Sequence, residues 1–160
     1  MKKRIYKSML LLALFTIVIT SLLITGVIYR KFYIRIQQEV RNETLFISTG
    51  YNLSGQKVFF GLEDGENSSR VTWVDTDGTV LYDNYAEAEK MDNHINRPEI
   101  ADALKYGSGE AVHLSKTLGT QTFYCAVRLK DGTVLRVSVS SNSAFKFALE
   151  FIPYIVLISL

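Results

Sequence analysis

The sequence predicts an α/β (α+β) domain, in which an antiparallel sheet of about five strands is backed by a long helix and flanked by transmembrane helices. Three observations lead to this prediction. A run without charged residues extends from Met9 to Tyr29. Apolar positions then recur at helical spacing, and segments between residues 71 and 139 alternate apolar and polar residues, as strands do.

Length and composition are those of one domain with apolar ends. The 160 residues are 48% hydrophobic and 21% charged, and four basic residues near the N-terminus more than account for the net charge of +2. No basic groove interleaved with aromatic residues follows, so nucleic acid is not an expected partner. The single cysteine, Cys125, excludes an intrachain disulfide and a multi-cysteine metal cluster.

The uncharged run Met9–Tyr29 predicts a transmembrane helix, because about 20 apolar residues cross a hydrocarbon layer of ~30 Å. The residues after it, Arg30-Lys31-Phe32-Tyr33, are typical of an interfacial anchor. A cleaved signal peptide is the alternative, but the run is too long for a signal-peptide core and lacks a small-residue cleavage site. Residues 144–160 are apolar again and predict the start of a second, truncated transmembrane helix.

Two flanking spans would place the intervening domain on one side of a membrane. We expect the N-terminus to be cytoplasmic and the domain outside, since a folded domain of mixed charge can be translocated regardless of its basic residues. The predicted organisation is a cytoplasmic N-terminus (1–8), transmembrane helix 1 (9–29), a juxtamembrane and N-terminal helix (30–60), the soluble domain (61–140) and the start of transmembrane helix 2 (144–160).

The helix predicted from Arg30 to about Phe60 carries one mostly apolar stripe. Its members recur at spacings of three and four residues: Ile36, Val40, Thr44, Ile47 and Tyr51. This stripe can pack on the helix's own domain, or it can form a helix-to-helix seam in a dimer.

Strands are predicted on both sides of a short helix. Val71–Val74 and Val80–Tyr82 flank a tight turn at Asp75-Thr-Asp-Gly78, and the helix runs from Pro98 to Gly107. Three further strands follow, at Ala111–Lys116, Gln121–Leu129 and Val134–Val139. The alternation predicts that one face of the last two is buried, through Phe123, Cys125, Val127, Leu135, Val137 and Val139.

No catalytic machinery is recognisable. The Asp75-x-Asp77-Gly78 sequence lacks the glycine and the carboxylate that a calcium loop requires, so it predicts a hairpin turn. His94 and His113 have no metal-site spacing, and we expect no metal. Cys125 lies on the apolar strand face and is expected to be a small buried hydrophobe.

The segment Met91–Ile100 concentrates polar groups in a short linker before the predicted helix. It can be a polar latch, meaning a segment that satisfies local backbone groups and pairs Arg97 with a nearby carboxylate. Asp83 is the first candidate for that carboxylate. It can instead form the mouth of a pocket for a small anionic ligand. The candidate residues for either role are Asp83, Asn93, His94, Arg97, Glu99 and Tyr124.

Three stretches carry a family resemblance: VTWVDTDGTVLYDN, MDNHINRPEIADAL and SKTLGTQTFYCAVRLKDGTVLRVS. Together they resemble the extracytoplasmic PAS-like (single Cache) sensor of bacterial sensor histidine kinases, nearest the phosphate-regulon type. The resemblance covers most of Arg70 to Ser140, and the N-H-x-x-R-P-E stretch from Asn93 to Glu99 is its most specific part.

This resemblance implies the sensor and membrane-anchor region of a homodimeric two-component kinase in the bacterial cell membrane. The domain would detect an extracytoplasmic ligand or protein, and a cytoplasmic kinase part would pass a phosphoryl group to a response regulator. ATP and Mg²⁺ would bind in that kinase part, and no cofactor is expected in these residues. The alternatives are the same sensor on a cyclic-dinucleotide enzyme or a chemoreceptor, or a membrane-anchored binding protein without catalytic output.

Overall fold

The computed structural model describes residues 2–61, 69–114 and 121–140, and the chain divides into two compact units. The first contains Met1–Arg35 and Asn142–Leu160, and the second contains Ile36–Ser141. Several predicted features lie outside the described residues: the second span at 144–160, most of the connector after Gly61, the end of the third strand at Lys116, and the turn at residues 117–120.

Helix α1 extends over Lys2–Ser54, and its N-terminal part is long and apolar enough to cross a membrane. None of its most apolar window is buried inside the protein, and Leu12 and Leu22 are each 67% exposed. The Thr16 hydroxyl donates to the Ala13 carbonyl at 2.8 Å, and the Thr20 hydroxyl to the Thr16 carbonyl at 2.5 Å. These two hydroxyls are therefore satisfied within the helix, which is the arrangement that a hydrocarbon environment favours.

Within the second unit, the predicted apolar stripe of α1 packs on the sheet. Val40, Thr44 and Ile47 are buried, while Ile36 and Tyr51 pack against the same core. The α-helix ends at Ser54 and not near Phe60 as the pattern predicted. Gly55 has a positive φ of 65°, and a 3₁₀ helix over Gly55–Gly61 follows.

The sheet has the predicted five antiparallel strands: β1 Arg70–Val74, β2 Val80–Asp83, β3 Ser108–Leu114, β4 Gln121–Arg128 and β5 Val134–Ser140. Their spatial order is β2-β1-β5-β4-β3, so β5 is central and β2 and β3 form the edges. Helix α2 spans Pro98–Tyr106 between β2 and β3. Strand β3 begins at Ser108 rather than Ala111, because Gly107 takes a left-handed conformation that ends α2 on the preceding residue.

The two Asp-Gly-Thr sequences form similar hairpin turns. Gly78 and Gly132 have positive φ values of 89° and 93°. The Asp77 carboxylate accepts a hydrogen bond from the Thr79 amide, and the Asp131 carboxylate accepts one from the Thr133 amide. The turn predicted between β1 and β2 is confirmed.

The α1 side of the sheet holds the main core. Phe123, Cys125, Leu135 and Val137 are buried as predicted, while Val127 and Val139 are only partly buried. The 3₁₀ helix brings Phe59 back onto this core, where an aromatic cluster forms from Tyr51, Phe59, Trp73 and Tyr82. Helix α2 packs on the opposite side of the sheet over a smaller cluster of Val74, Ile100, Ala103, Ala126 and Val134.

Candidate functional site

The candidate site is a buried polar cluster on the α2 side of the sheet. Successive strand residues point to opposite faces of a sheet. The strand neighbours of Thr72 and Arg136 face α1, so Thr72 and Arg136 themselves face α2. Thr72 and Arg136 are paired in register on β1 and β5, and both are buried. A guanidinium at 4% exposure requires partners that replace its hydration.

Glu99, in the first turn of α2, is the counter-charge. Pro98 opens the helix, and the backbone of Glu99 approaches Gly109 of β3 so closely that a Cβ at Gly109 would clash with the Glu99 carbonyl. Glu99 Oε1 lies 3.2 Å from Arg136 Nη1, and Arg136 Nη2 donates to the Thr72 hydroxyl at 3.1 Å. The result is a buried ion pair that joins α2 to the central strand. Burial, partly opposed by the Glu99 charge, lowers the pKa of Arg136.

Asp83 extends the cluster to β2. It accepts hydrogen bonds from the Thr72 hydroxyl at 2.8 Å and from Arg70 Nε at 2.9 Å. Burial alone would raise the pKa of Asp83, but the bonds from Arg70, the Tyr85 amide and Thr72 together lower it. The expected pairing of Arg97 with Asp83 is wrong, because Arg70, which shares its sheet face with Thr72, occupies that carboxylate.

Two aromatic side chains close the cluster on the β3–β4 side. The Arg136 guanidinium carbon lies 5.1 Å from the centre of the Tyr124 ring, a cation–π contact. His113 packs edge-on against Tyr124, and its Nε2 lies 3.8 Å from Glu99 Oε2. The structure thus brings Asp83, Glu99 and Tyr124, which were predicted site residues, into one cluster.

Three buried polar atoms in this region find no hydrogen-bond partner among the described residues: His94 Nδ1, Glu99 Oε2 and Arg136 Nε. Buried polar atoms are almost always satisfied, and leaving one unpaired costs free energy. Glu99 Oε2 and Arg136 Nε therefore have hydrogen-bonding capacity that the described side chains do not use, at the contact between α2 and the sheet.

Asn93 and His94 attach the linker to the first hairpin turn. Asn93 Nδ2 donates to the Asp77 carbonyl at 3.0 Å, and the His94 amide donates to the Gly78 carbonyl at 2.8 Å. A Cβ at Gly78 would collide with Asn93 Oδ1 and the Ile95 amide nitrogen. The linker thus has the contacts expected of a polar latch, although Asn93 makes them rather than Arg97.

The His94 side chain is buried at 5% exposure in a positively charged environment. Burial is the main cause that lowers its pKa to about 4, and the charges of Arg136, Arg97 and Arg70 add to the effect. His94 is therefore neutral near pH 7.

Arg97 is the N-cap residue of α2, and its side chain is exposed. Within residues 2–61, 69–114 and 121–140, its guanidinium has neither an ion pair nor a hydrogen bond. The backbone of Arg97 makes the local contacts, because its carbonyl accepts hydrogen bonds from the Ile100 and Ala101 amides. The exposed Arg97 side chain thus acts on this region only through its charge, which helps to lower the pKa of His94.

Sequence reasoning missed Arg136, Thr72 and Arg70 as site residues. The available signal was an arginine in the middle of a strand that is apolar apart from one serine, Val134-Leu-Arg-Val-Ser-Val139, because such an arginine requires a buried counter-charge if the strand is central. Within the described residues, no three His, Cys, Asp or Glu side chains are grouped so as to hold a metal ion. Cys125 is buried as predicted, and burial raises the pKa of its thiol, which is unfavourable for a nucleophile.

The chain matches no known protein-family model, and no curated protein matches its sequence.

Proposed function

We propose that this chain is the membrane-anchored sensor region of a bacterial two-component sensor histidine kinase, with its α+β unit outside the cytoplasm. The observation that carries the proposal is the division of the chain into an apolar helical unit and a separate sheet-containing unit. An apolar helix with no buried residues in its most apolar window is suited to a lipid environment, whereas the sheet unit buries its own core. A five-stranded antiparallel sheet backed by a long helix also has the architecture that the resemblance to PAS-like (Cache) sensors implies.

Signal detection is assigned to the α2 side of the sheet. A sensor needs an element with two arrangements whose populations an outside contact can bias. Helix α2 fits this need, because its apolar contact is small and it depends on the Glu99–Arg136 pair, which leaves polar atoms unsatisfied. Arg136 lies on β5, the strand that precedes the C-terminal apolar segment, so a shift of α2 would act on the strand leading to that segment.

The kinase output can be tested on the full-length natural protein in membrane vesicles supplied with labelled ATP and Mg²⁺. The proposal predicts an acid-labile phosphoryl group on a histidine outside these 160 residues, and its transfer to a response regulator. Production of a cyclic dinucleotide, or membranes in which no histidine is phosphorylated, would assign the sensor to another output.

A further inference from the structure

The two edge strands of the sheet differ in how far their free backbone groups are protected. Strand β2 has four residues, Val80–Asp83, and its register with β1 shifts between Trp73 and Val74. A short 3₁₀ helix over Ala88–Lys90 also contacts this strand. Edge strands are commonly short, bulged or covered, because their unpaired amides and carbonyls otherwise pair with another chain. The β2 edge is therefore protected.

Strand β3, at the opposite edge, is neither short nor bulged, and no described strand lies beyond it. It runs for seven residues, Ser108–Leu114, in unbroken register with β4, and it contains neither proline nor lysine. Its one acidic residue is Glu110. The Nε and Nη2 atoms of Arg41 in α1 donate to the two oxygens of that carboxylate at 2.6 and 2.8 Å. The charge that would keep another strand away from this edge is thus neutralised within the domain.

The backbone groups of β3 that face outwards follow from the ladder with β4. Hydrogen-bonded pairs in an antiparallel ladder alternate with pairs that are not hydrogen-bonded. The Arg128 amide donates to the Gly107 carbonyl at 2.9 Å, so this pair is of the bonded kind. Every second residue from Gly109 to His113 therefore directs its amide and carbonyl towards β4. The residues before and between them direct these groups away from the sheet: Ser108, Glu110 and Val112.

This outward row of donors and acceptors selects an extended polypeptide as its occupant. Outward residues repeat every second position, about 7 Å apart, which is the repeat of a β-strand. A strand that adds to such an edge pairs through its own backbone, and the neighbouring side chains decide which sequence fits. Val112 lies on the α1 side of the sheet with Glu110 and is 48% exposed. A β-branched or aromatic residue fits beside Val112, whereas an acidic residue beside Glu110 would be repelled.

A second copy of β3 meets these requirements less well than a strand of another sequence. When two Ser108–Leu114 strands overlap along their full length in antiparallel, Glu110 of each copy lies opposite Val112 of the other. Each carboxylate then faces an apolar side chain and has the second carboxylate diagonally across the pair, which is unfavourable. The chemistry of the edge therefore favours a segment of a different protein.

We propose that the outer edge of β3 is a docking site for an extended segment of a different protein, which adds a sixth strand to the sheet. The added strand carries a β-branched or aromatic residue beside Val112, and an uncharged or basic residue beside Glu110. The inference goes beyond the proposed function, because the edge can pair without membrane anchorage or kinase output. Helix α2 packs on β3, so the partner would dock next to the element to which signal detection is assigned.

Hydrogen exchange, measured by NMR on the isotope-labelled chain in detergent micelles, tests the edge directly. In the free chain, the amides of Glu110 and Val112 should exchange faster than those of Ala111 and His113, which face β4. The probe is the peptide Lys-Thr-Val-Thr-Val-Thr-Lys with N-methyl groups on alternate residues, which leave it one free edge. At about ten times its Kd, the peptide should slow exchange of the two outward amides by about tenfold. The same peptide methylated at every residue is the control and should slow neither.

A pair of variants at Val112 then tests whether backbone pairing carries the binding. Val112→Pro removes an outward amide without taking a hydrogen bond from the ladder with β4, which is where an edge strand tolerates proline. It should weaken peptide binding by at least about tenfold, because a hydrogen bond is lost and the ring obstructs the edge. Val112→Thr keeps the amide and the β-branched shape, so its Kd should stay within about threefold. Thermal melts followed by Trp73 fluorescence check that both variants fold.

Three results would overturn the proposal. Amides of Glu110 and Val112 that exchange as slowly as that of Ala111 in the free chain, or that the peptide does not slow, would exclude an open edge. This measurement needs no variant, so it decides even if Val112→Pro fails to fold. A folded Val112→Pro chain that binds the peptide as tightly as Val112→Thr would exclude backbone pairing at this position.

The third result concerns the occupant. A photo-crosslinking residue in place of Ser108 is activated in the chain reconstituted in lipid vesicles without peptide. The proposal predicts monomers, because no different protein is present. Adducts of twice the chain mass would identify a second copy as the occupant and overturn the assignment to a different protein. None of these readouts depends on a kinase, so their failure would leave the proposed function standing.

Discussion

The two faces of the sheet are built from the same strands but held by different forces. The α1 face is apolar and aromatic, with Trp73, Phe123 and Leu135 in one continuous core. The α2 face holds a smaller apolar cluster beside the buried pair of Glu99 and Arg136. Hydrophobic contact is non-directional and tolerates changes of shape, whereas a buried ion pair depends on the position of single atoms. This difference is the reason that the proposed signal detection is assigned to the α2 face.

The largest expected effect comes from breaking that pair. Arg136→Ala leaves the Glu99 carboxylate buried without its cation, and it should lower the free energy of unfolding by about 3–5 kcal/mol. Urea unfolding of the detergent-solubilised chain measures it, with the single tryptophan, Trp73, as a buried fluorescent probe.

Two controls sharpen the comparison between the faces. Leu135→Met changes the neighbouring residue on the α1 face. It should lower the free energy of unfolding by less than about 1.5 kcal/mol, because it nearly conserves side-chain volume. Replacing both charges in one chain, with Glu99→Leu and Arg136→Met, should recover much of the stability that Arg136→Ala loses, because no charge is then left buried without a partner. If Arg136→Ala costs no more than Leu135→Met, the two faces do not differ as argued.

Acidification should destabilise the domain through His94. The pKa of His94 is about 4 in the folded chain, against an ordinary value of 6.5. Between these values the unfolded chain binds a proton that the folded chain excludes, so stability is lost as the pH falls from about 6.5 to about 4, by roughly 3 kcal/mol in total. Unfolding free energies measured across this range should show the loss.

His94→Gln should remove this loss, and the difference between the two chains isolates the histidine. Asp83 affects stability only at lower pH, because its pKa in the folded chain lies below the ordinary 3.8. Its contribution to the free energy of unfolding is therefore present above pH 3.8 and is lost only below that value. An unchanged pH slope in His94→Gln would mean that His94 does not titrate as described.

Arg97→Ala should have the smallest effect on stability. The side chain is exposed and lacks an ion pair with the described residues, so a change within about 0.5 kcal/mol is expected. The same variant in the full-length protein should alter signalling if Arg97 contacts the signal. A clear loss of stability would restore the role of Arg97 as a latch.

The sequence predicted the architecture better than the site, for a physical reason. Alternation in β4 and β5 and the helical spacing of Val40, Thr44 and Ile47 indicate which residues of one element are buried, so the strands and much of the α1-side core followed from them. The same spacing left open whether α1 packs on its own domain or on a second copy. The pairing of Arg136 with Glu99 depends on α2 lying over the central strand. Strand order, which places β5 between β1 and β4, is not readable from spacing, and Arg97 was therefore favoured as the partner of a carboxylate over Arg70.

The central claim, a membrane-anchored domain outside the cytoplasm, is tested most directly by its topology. A phosphatase that folds only outside the cytoplasm is fused after Ser140, and a second fusion after Lys7 serves as the control. The account predicts an active enzyme at Ser140, with that fusion protein in the membrane fraction, and an inactive enzyme at Lys7, which precedes the apolar run. An inactive phosphatase after Ser140, together with an active cytoplasmic reporter at the same junction, would contradict it.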